Sequence, residues 1–143
     1  MCRLGGWLLL AATSSFGQTI SVLVLNVKNG RGLRDAAVWL QFYEAPGSHQ
    51  VRRVLYKTGS DGAATLQLTD VKTAQLTISA SLPDSYCEAV VTVPKVDILE
   101  HGAVSRCNPK TNDVQRAPTP GQMIFLLRRM PLWYRILAPI ERE

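Results

Sequence analysis

Histidine is scarce in this chain, charge is thin, and no apolar run is long. His49 and His101 are its only histidines, the residue type that serves as a base at neutral pH. Charged residues make up 19% of 143, beside 46% hydrophobic, a balance that fills one core and is unlike that of a disordered polymer. The longest apolar stretch, near the amino terminus, falls short of the about 20 residues a bilayer-spanning helix needs. Three cysteines without a Cys-x-x-Cys pair cannot supply the four ligands of structural zinc. HExxH, Walker A, dinucleotide and GxSxG motifs are all missing. These gaps point away from enzymes, so no catalytic, cofactor-binding or metal-binding residue is expected, and no cofactor.

The charge that is present carries little direction. The formal net charge is +5, and the basic residues are scattered, with pairs only at Arg52–Arg53 and Arg128–Arg129. A nucleic-acid binder concentrates Lys and Arg on one face, so nucleic acid is not an expected partner. Asp61 and Asp70 are too isolated for calcium, which takes six or more oxygens. Asp61 is better explained by the turn Gly59-Ser60-Asp61-Gly62.

Residues 1–17, MCRLGGWLLLAATSSFG, run from one positive charge through an apolar stretch to small residues at Ser15 and Gly17. That order is a secretory signal, which places the protein outside the cytoplasm, periplasmic or extracellular. Cys2 would leave with it, so the mature chain would keep an even pair, Cys87 and Cys107. In an oxidising compartment two such thiols tend to form a disulfide. Closing a loop of about 20 residues is worth roughly 3 kcal/mol in the chain-entropy picture.

From residue 18 to 130 the chain alternates. Val38, Leu40 and Phe42 fall on one face of a strand and Trp39, Gln41 and Tyr43 on the other. Val51, Arg53, Leu55 and Lys57 oppose Arg52, Val54 and Tyr56 in the next. Leu66 and Leu68, then Leu76, Ile78 and Ala80, then Ala89, Val91 and Val93 continue the pattern. The runs 19–27 and 122–128 are more continuously apolar, which predicts places near the middle of a sheet or beneath the tail. Turn signals separate the runs, 94–120 reads as irregular, and no strong helix is expected before residue 130. About seven short strands of this kind predict an all-β sandwich.

The succession VLVLNVKNGRGLRDAAVWL, KTGSDGAATLQL and AQLTISASLP resembles the carboxypeptidase regulatory-like, or transthyretin-like, Ig-type domains of exported bacterial proteins. The likeness rests on Val22 to Leu40, with Gly32, Leu33 and Ala36-Ala37 at the turn, and on Thr58, Asp61, Gly62 and Leu66. It covers about 18–81 and implies an Ig-like, transthyretin-like Greek-key β-sandwich. It also implies a non-catalytic accessory or recognition role, although the partner domain usual in that setting is missing here. Hydroxyisourate hydrolases share the transthyretin-like fold, but this chain ends Pro139-Ile140-Glu141-Arg142-Glu143 and lacks their terminal tetrapeptide.

Residues 131–143 predict a short amphipathic helix opened by Pro131, with Trp133, Ile136, Leu137 and Ile140 on one side. Two readings stay open. The stripe caps the sandwich, or Arg129, Trp133, Tyr134, Arg135 and Ile136 contact a protein partner in the cell envelope or a membrane surface. The expected function is a non-catalytic exported binding or structural module acting through protein–protein contact. The alternatives are a carbohydrate-binding module using Trp39, Tyr43 or Tyr56, and a small secreted hydrolase using His49 and His101.

Overall fold

Alternating side chains settle into two facing layers in the computed structural model, which describes residues 18–69, 71–85, 87–107, 113–131 and 136. Eight strands and one helix are described: β1 (Thr19–Asn26), β2 (Ala37–Tyr43), β3 (Val51–Lys57), β4 (Ala63–Gln67), β5 (Gln75–Ser81), β6 (Ala89–Pro94), α1 (Lys95–His101), β7 (Ala103–Arg106) and β8 (Gln122–Leu127). One sheet has the order β4-β1-β8-β7 and the other β3-β2-β5-β6. Pairing is antiparallel except where β8 lies parallel to both β1 and β7. The all-β sandwich is therefore present.

The core forms between the sheets. Ile20, Val22 and Val24 of β1 and Met123, Phe125 and Leu127 of β8 meet Val38, Leu40 and Phe42 of β2 and Leu76, Ile78 and Ala80 of β5. The two most continuously apolar strands, β1 and β8, are neighbours at the centre of their sheet. On its outer side Leu25, Val27, Ile124 and Leu126 form a second, smaller buried cluster. Residues 113–115 fasten down over one end of that side. The Val114 amide donates to the Val27 carbonyl at 2.8 Å, and Arg106 donates to Gln115 at 2.6 Å. Asp113 pairs with Arg128, and both side chains are buried.

Two turns fix the register beside β1, on the side where it pairs with β4. The Val24 amide donates to the Gly62 carbonyl and the Leu33 amide to the Val24 carbonyl, each at 2.8 Å. Gly62 has φ +78°, and a Cβ there would strike the Val24 carbonyl. A Cβ on Gly32 would strike the Asp61 carbonyl. The backbones of the two turns thus approach as only glycine allows. Buried Thr58 accepts the Ala36 amide at 2.9 Å and donates to the Leu33 carbonyl at 2.5 Å.

The region read as irregular departs from expectation. Lys95 to His101 is a two-turn helix, ended where the Gly102 amide donates to Ile98 at 2.9 Å, and an eighth strand, β7, follows it. Two turns are too few for a helical period to show, and Val96 and Ile98 are β-branched, so the segment does not announce itself. Ile98 is fully buried, whereas Val96 is exposed. Among the described residues α1 thus connects β6 of one sheet to β7 of the other. The short helix expected over 131–143 lies, apart from residues 131 and 136, outside the described residues.

Candidate interaction surface

The outer side of β3-β2-β5-β6 is the open face of the molecule. The register aligns Leu55, Trp39, Ser79 and Val90 in one row and Arg53, Gln41, Thr77 and Thr92 in the next. Tyr43 lies opposite Val51 beyond them. Tyr43 is 52% exposed, Val51 51%, Leu55 45% and Val90 52%. Large apolar side chains exposed together on one face are the kind of surface that contact sites use. The other sheet contrasts with it: Ile124 and Leu126, on the outer side of β8, have no exposure at all.

Polar groups are arranged among the apolar ones. The Arg53 guanidinium lies over the Trp39 ring, 4.6 Å from its centroid, a cation–π contact that holds both side chains against the sheet. Thr77 and Thr92 hydroxyls are 2.9 Å apart. Beside them a shallow depression of about 160 Å³ is lined by Gln41, Tyr43, Val51, Gln75, Thr77 and Thr92, with Phe42 and Leu76 below. The sheet's charge is one-sided. Arg52, Arg53 and Lys57 all lie on β3, and none of the four strands holds an Asp or Glu. Among the described residues these three cations form no ion pair.

The residues singled out from the sequence fall in several places. Cys87 and Cys107 stand together as a disulfide, with Cα atoms 6.1 Å apart, joining the entry to β6 with the end of β7. Arg129 is half-exposed, its Nε donating to Asp84 at 2.9 Å, and Ser85 and Arg129 form a β-bridge. The structure ties Arg129 to this turn. Trp133, Tyr134 and Arg135 lie outside the described residues, as do Asp70 and the leader-like residues 1–17. Ile136 is 63% exposed, so it is not part of the core. Arg128, which with Arg129 forms one of the two adjacent basic pairs, is buried against Asp113.

Tyr56 does not belong to the outer face. It packs against the core, and its hydroxyl accepts the Gln67 amide at 3.2 Å. Trp39 and Tyr43 do face outward. His49 is exposed between β2 and β3, and exposed His101 ends α1 with its Nε2 3.9 Å from Glu100. Asp61 accepts the Ala63 amide at 3.1 Å, as its turn requires. Among the described residues no three His, Cys, Asp or Glu side chains converge as metal ligands, and no helix is long and apolar enough to cross a membrane. The chain matches no family model, no curated protein and no solved structure.

Proposed function

We propose that this protein is a non-catalytic exported binding module whose protein partner rests on the outer face of β3-β2-β5-β6. The carrying observation is the contrast between the two sheets: one buries its outer apolar cluster, while the other leaves Tyr43, Val51, Leu55 and Val90 open around the Trp39–Arg53 stack. Aromatic and Arg side chains contribute more than their share of contact energy at protein interfaces. The secretory order of residues 1–17 and the Cys87–Cys107 bridge support export. The turn pattern shared with carboxypeptidase regulatory-like domains supports an accessory role.

Tyr43→Ala combined with Val90→Lys tests the reading. Both positions are exposed, so the variant folds with unchanged circular dichroism. Its affinity for the partner recovered by the native protein from an envelope fraction, measured by titration, should fall strongly. Equal affinity would refute the assignment of the face.

A second reading is carbohydrate binding, favoured by Trp39 and Tyr43 facing outward on one strand with Gln41 between them and the Thr77 and Thr92 hydroxyls alongside. Aromatic rings flanking hydrogen-bonding groups suit sugar rings, which are apolar on their faces and polar at their edges. Arg53 already occupies one side of the Trp39 ring, which weakens this reading relative to the first. Saccharide titration followed by Trp fluorescence separates the two.

A further inference from the structure

We infer that the free edge of β3 accepts an extended acidic polypeptide as a fifth, antiparallel strand of the β3-β2-β5-β6 sheet. The inference rests on the binding-module reading and gives its partner a chemistry.

The register shows which backbone groups are available. The Glu44 amide donates to Gln50 at 3.0 Å and the Thr58 amide to Ala36 at 3.1 Å, one pair at each end of the β2–β3 ladder. Antiparallel ladders alternate hydrogen-bonded and non-bonded pairs, so Arg52, Val54 and Tyr56 turn their backbone groups toward β2. Val51, Arg53, Leu55 and Lys57 then turn theirs away, toward the side where, among the described residues, β3 has no paired strand. These four residues also carry their side chains on the outer face. One added strand would therefore bond to their amides and lay alternate side chains beside theirs.

Natural sheets blunt such an edge with proline, a bulge or charged side chains. On β3 the protection is the charge of Arg52, Arg53 and Lys57, which discourages indiscriminate pairing but is matched by an acidic strand. β3 has no proline and pairs with β2 without interruption at all seven positions. Arg53 is folded back over Trp39 of β2, so its side chain is directed away from the edge. The charge selects the occupant. With Arg52, Arg53 and Lys57 on β3 and no acid in any strand of the sheet, an incoming strand with carboxylates opposite Arg53 and Lys57 is matched. Opposite charges across a strand pair stabilise it and like charges oppose it. A second copy of β3 in full antiparallel overlap would set Arg53 opposite Leu55 and Lys57 opposite Val51, so it offers the three cations no carboxylate and adds three more positive charges.

The test uses the oxidised protein and a blocked peptide, Glu-Thr-Val-Thr-Glu-Thr-Val. Paired antiparallel, it places Glu opposite Lys57 and Arg53, and Val opposite Leu55 and Val51. The expected result is saturable binding by anisotropy, weakening with salt, with slowed amide exchange at Val51, Arg53, Leu55 and Lys57. The Arg53→Glu/Lys57→Glu variant should bind roughly tenfold more weakly or worse. So should a control peptide with Lys in place of both Glu. Leu55→Pro removes an outward amide and no bond to β2, so it should remain folded and lose binding. No binding, binding without protection of those four amides, or undiminished binding to folded Leu55→Pro would overturn the inference. So would peptide-independent protection that rises with protein concentration, which would make the occupant a second copy. Loss of envelope-partner affinity in Tyr43→Ala/Val90→Lys alongside a failed peptide experiment would sink the edge inference and leave the binding face standing. Unchanged affinity in that variant would sink the face itself.

Discussion

Thr58 shows how much a single buried hydroxyl can hold. It satisfies a backbone donor and a backbone acceptor across the turn between β1 and β2, both far from it in sequence. Thr58→Val keeps the shape and strands both groups, so unfolding free energy should fall by about 2–4 kcal/mol, whereas Thr58→Ser should keep most of it. Urea denaturation checks both. The residue is legible in the sequence as part of a turn motif, but its role as a hub is not, because that needs the fold to bring Leu33 beneath it. The same limit applies to Arg128. Adjacent arginines look like solvent-facing charge, and only the passage of residues 113–115 over the sheet buries one of them. Removing one member of a buried ion pair leaves an uncompensated charge, so Asp113→Ala should cost about 3–5 kcal/mol in the same assay. Replacing Asp113 and Arg128 together by apolar residues should cost less.

At the scale of elements, alternation makes most strands legible. The span 75–81 stands out because Leu76, Ile78 and Ala80 alternate with Gln75, Thr77, Ser79 and Ser81, and β1 and β8 stand out because they are more continuously apolar. A strand buried on both sides has no polar face to show, and both lie at the centre of a sheet. α1 and β7 are illegible for a physical reason: seven and four residues are too short for a period to repeat. Their placement depends on tertiary anchors, Ile98 in the core and Cys107 bonded to Cys87. Reducing the bridge, or the variant Cys87→Ser/Cys107→Ser, should therefore lower stability by roughly 3 kcal/mol. Amide exchange should rise first in β7 and in the turn before β6, the two pieces the bridge holds together.

For the molecule as a whole, the two layers are unequal. The sequence separates Trp39, Gln41 and Tyr43 from Val38, Leu40 and Phe42, and separates Val51, Arg53, Leu55 and Lys57 from the other side of β3. It cannot tell which set faces water, since both sets contain apolar residues. On β2 the purely apolar set Val38, Leu40 and Phe42 goes inside and on β3 the register carries Val54 and Tyr56 with it, which leaves Trp39, Tyr43, Val51 and Leu55 on the open sheet. Leu55→Lys and Val90→Lys should accordingly change stability by no more than about 0.5 kcal/mol. Both should raise the concentration the protein tolerates before it associates, as light scattering would show.

The partnership of β1 and β8 has a consequence for how the molecule comes into being. Ser21 sits opposite Gln122, so the earliest described strand finishes its ladder only with the latest. Until β8 arrives, β1 has apolar side chains on both sides and one bare edge, a poor state in which to wait in a crowded compartment. Contacts this distant in sequence are slow to close. A chain that emerges end first must keep β1 shielded until β8 is free to slide in beside it.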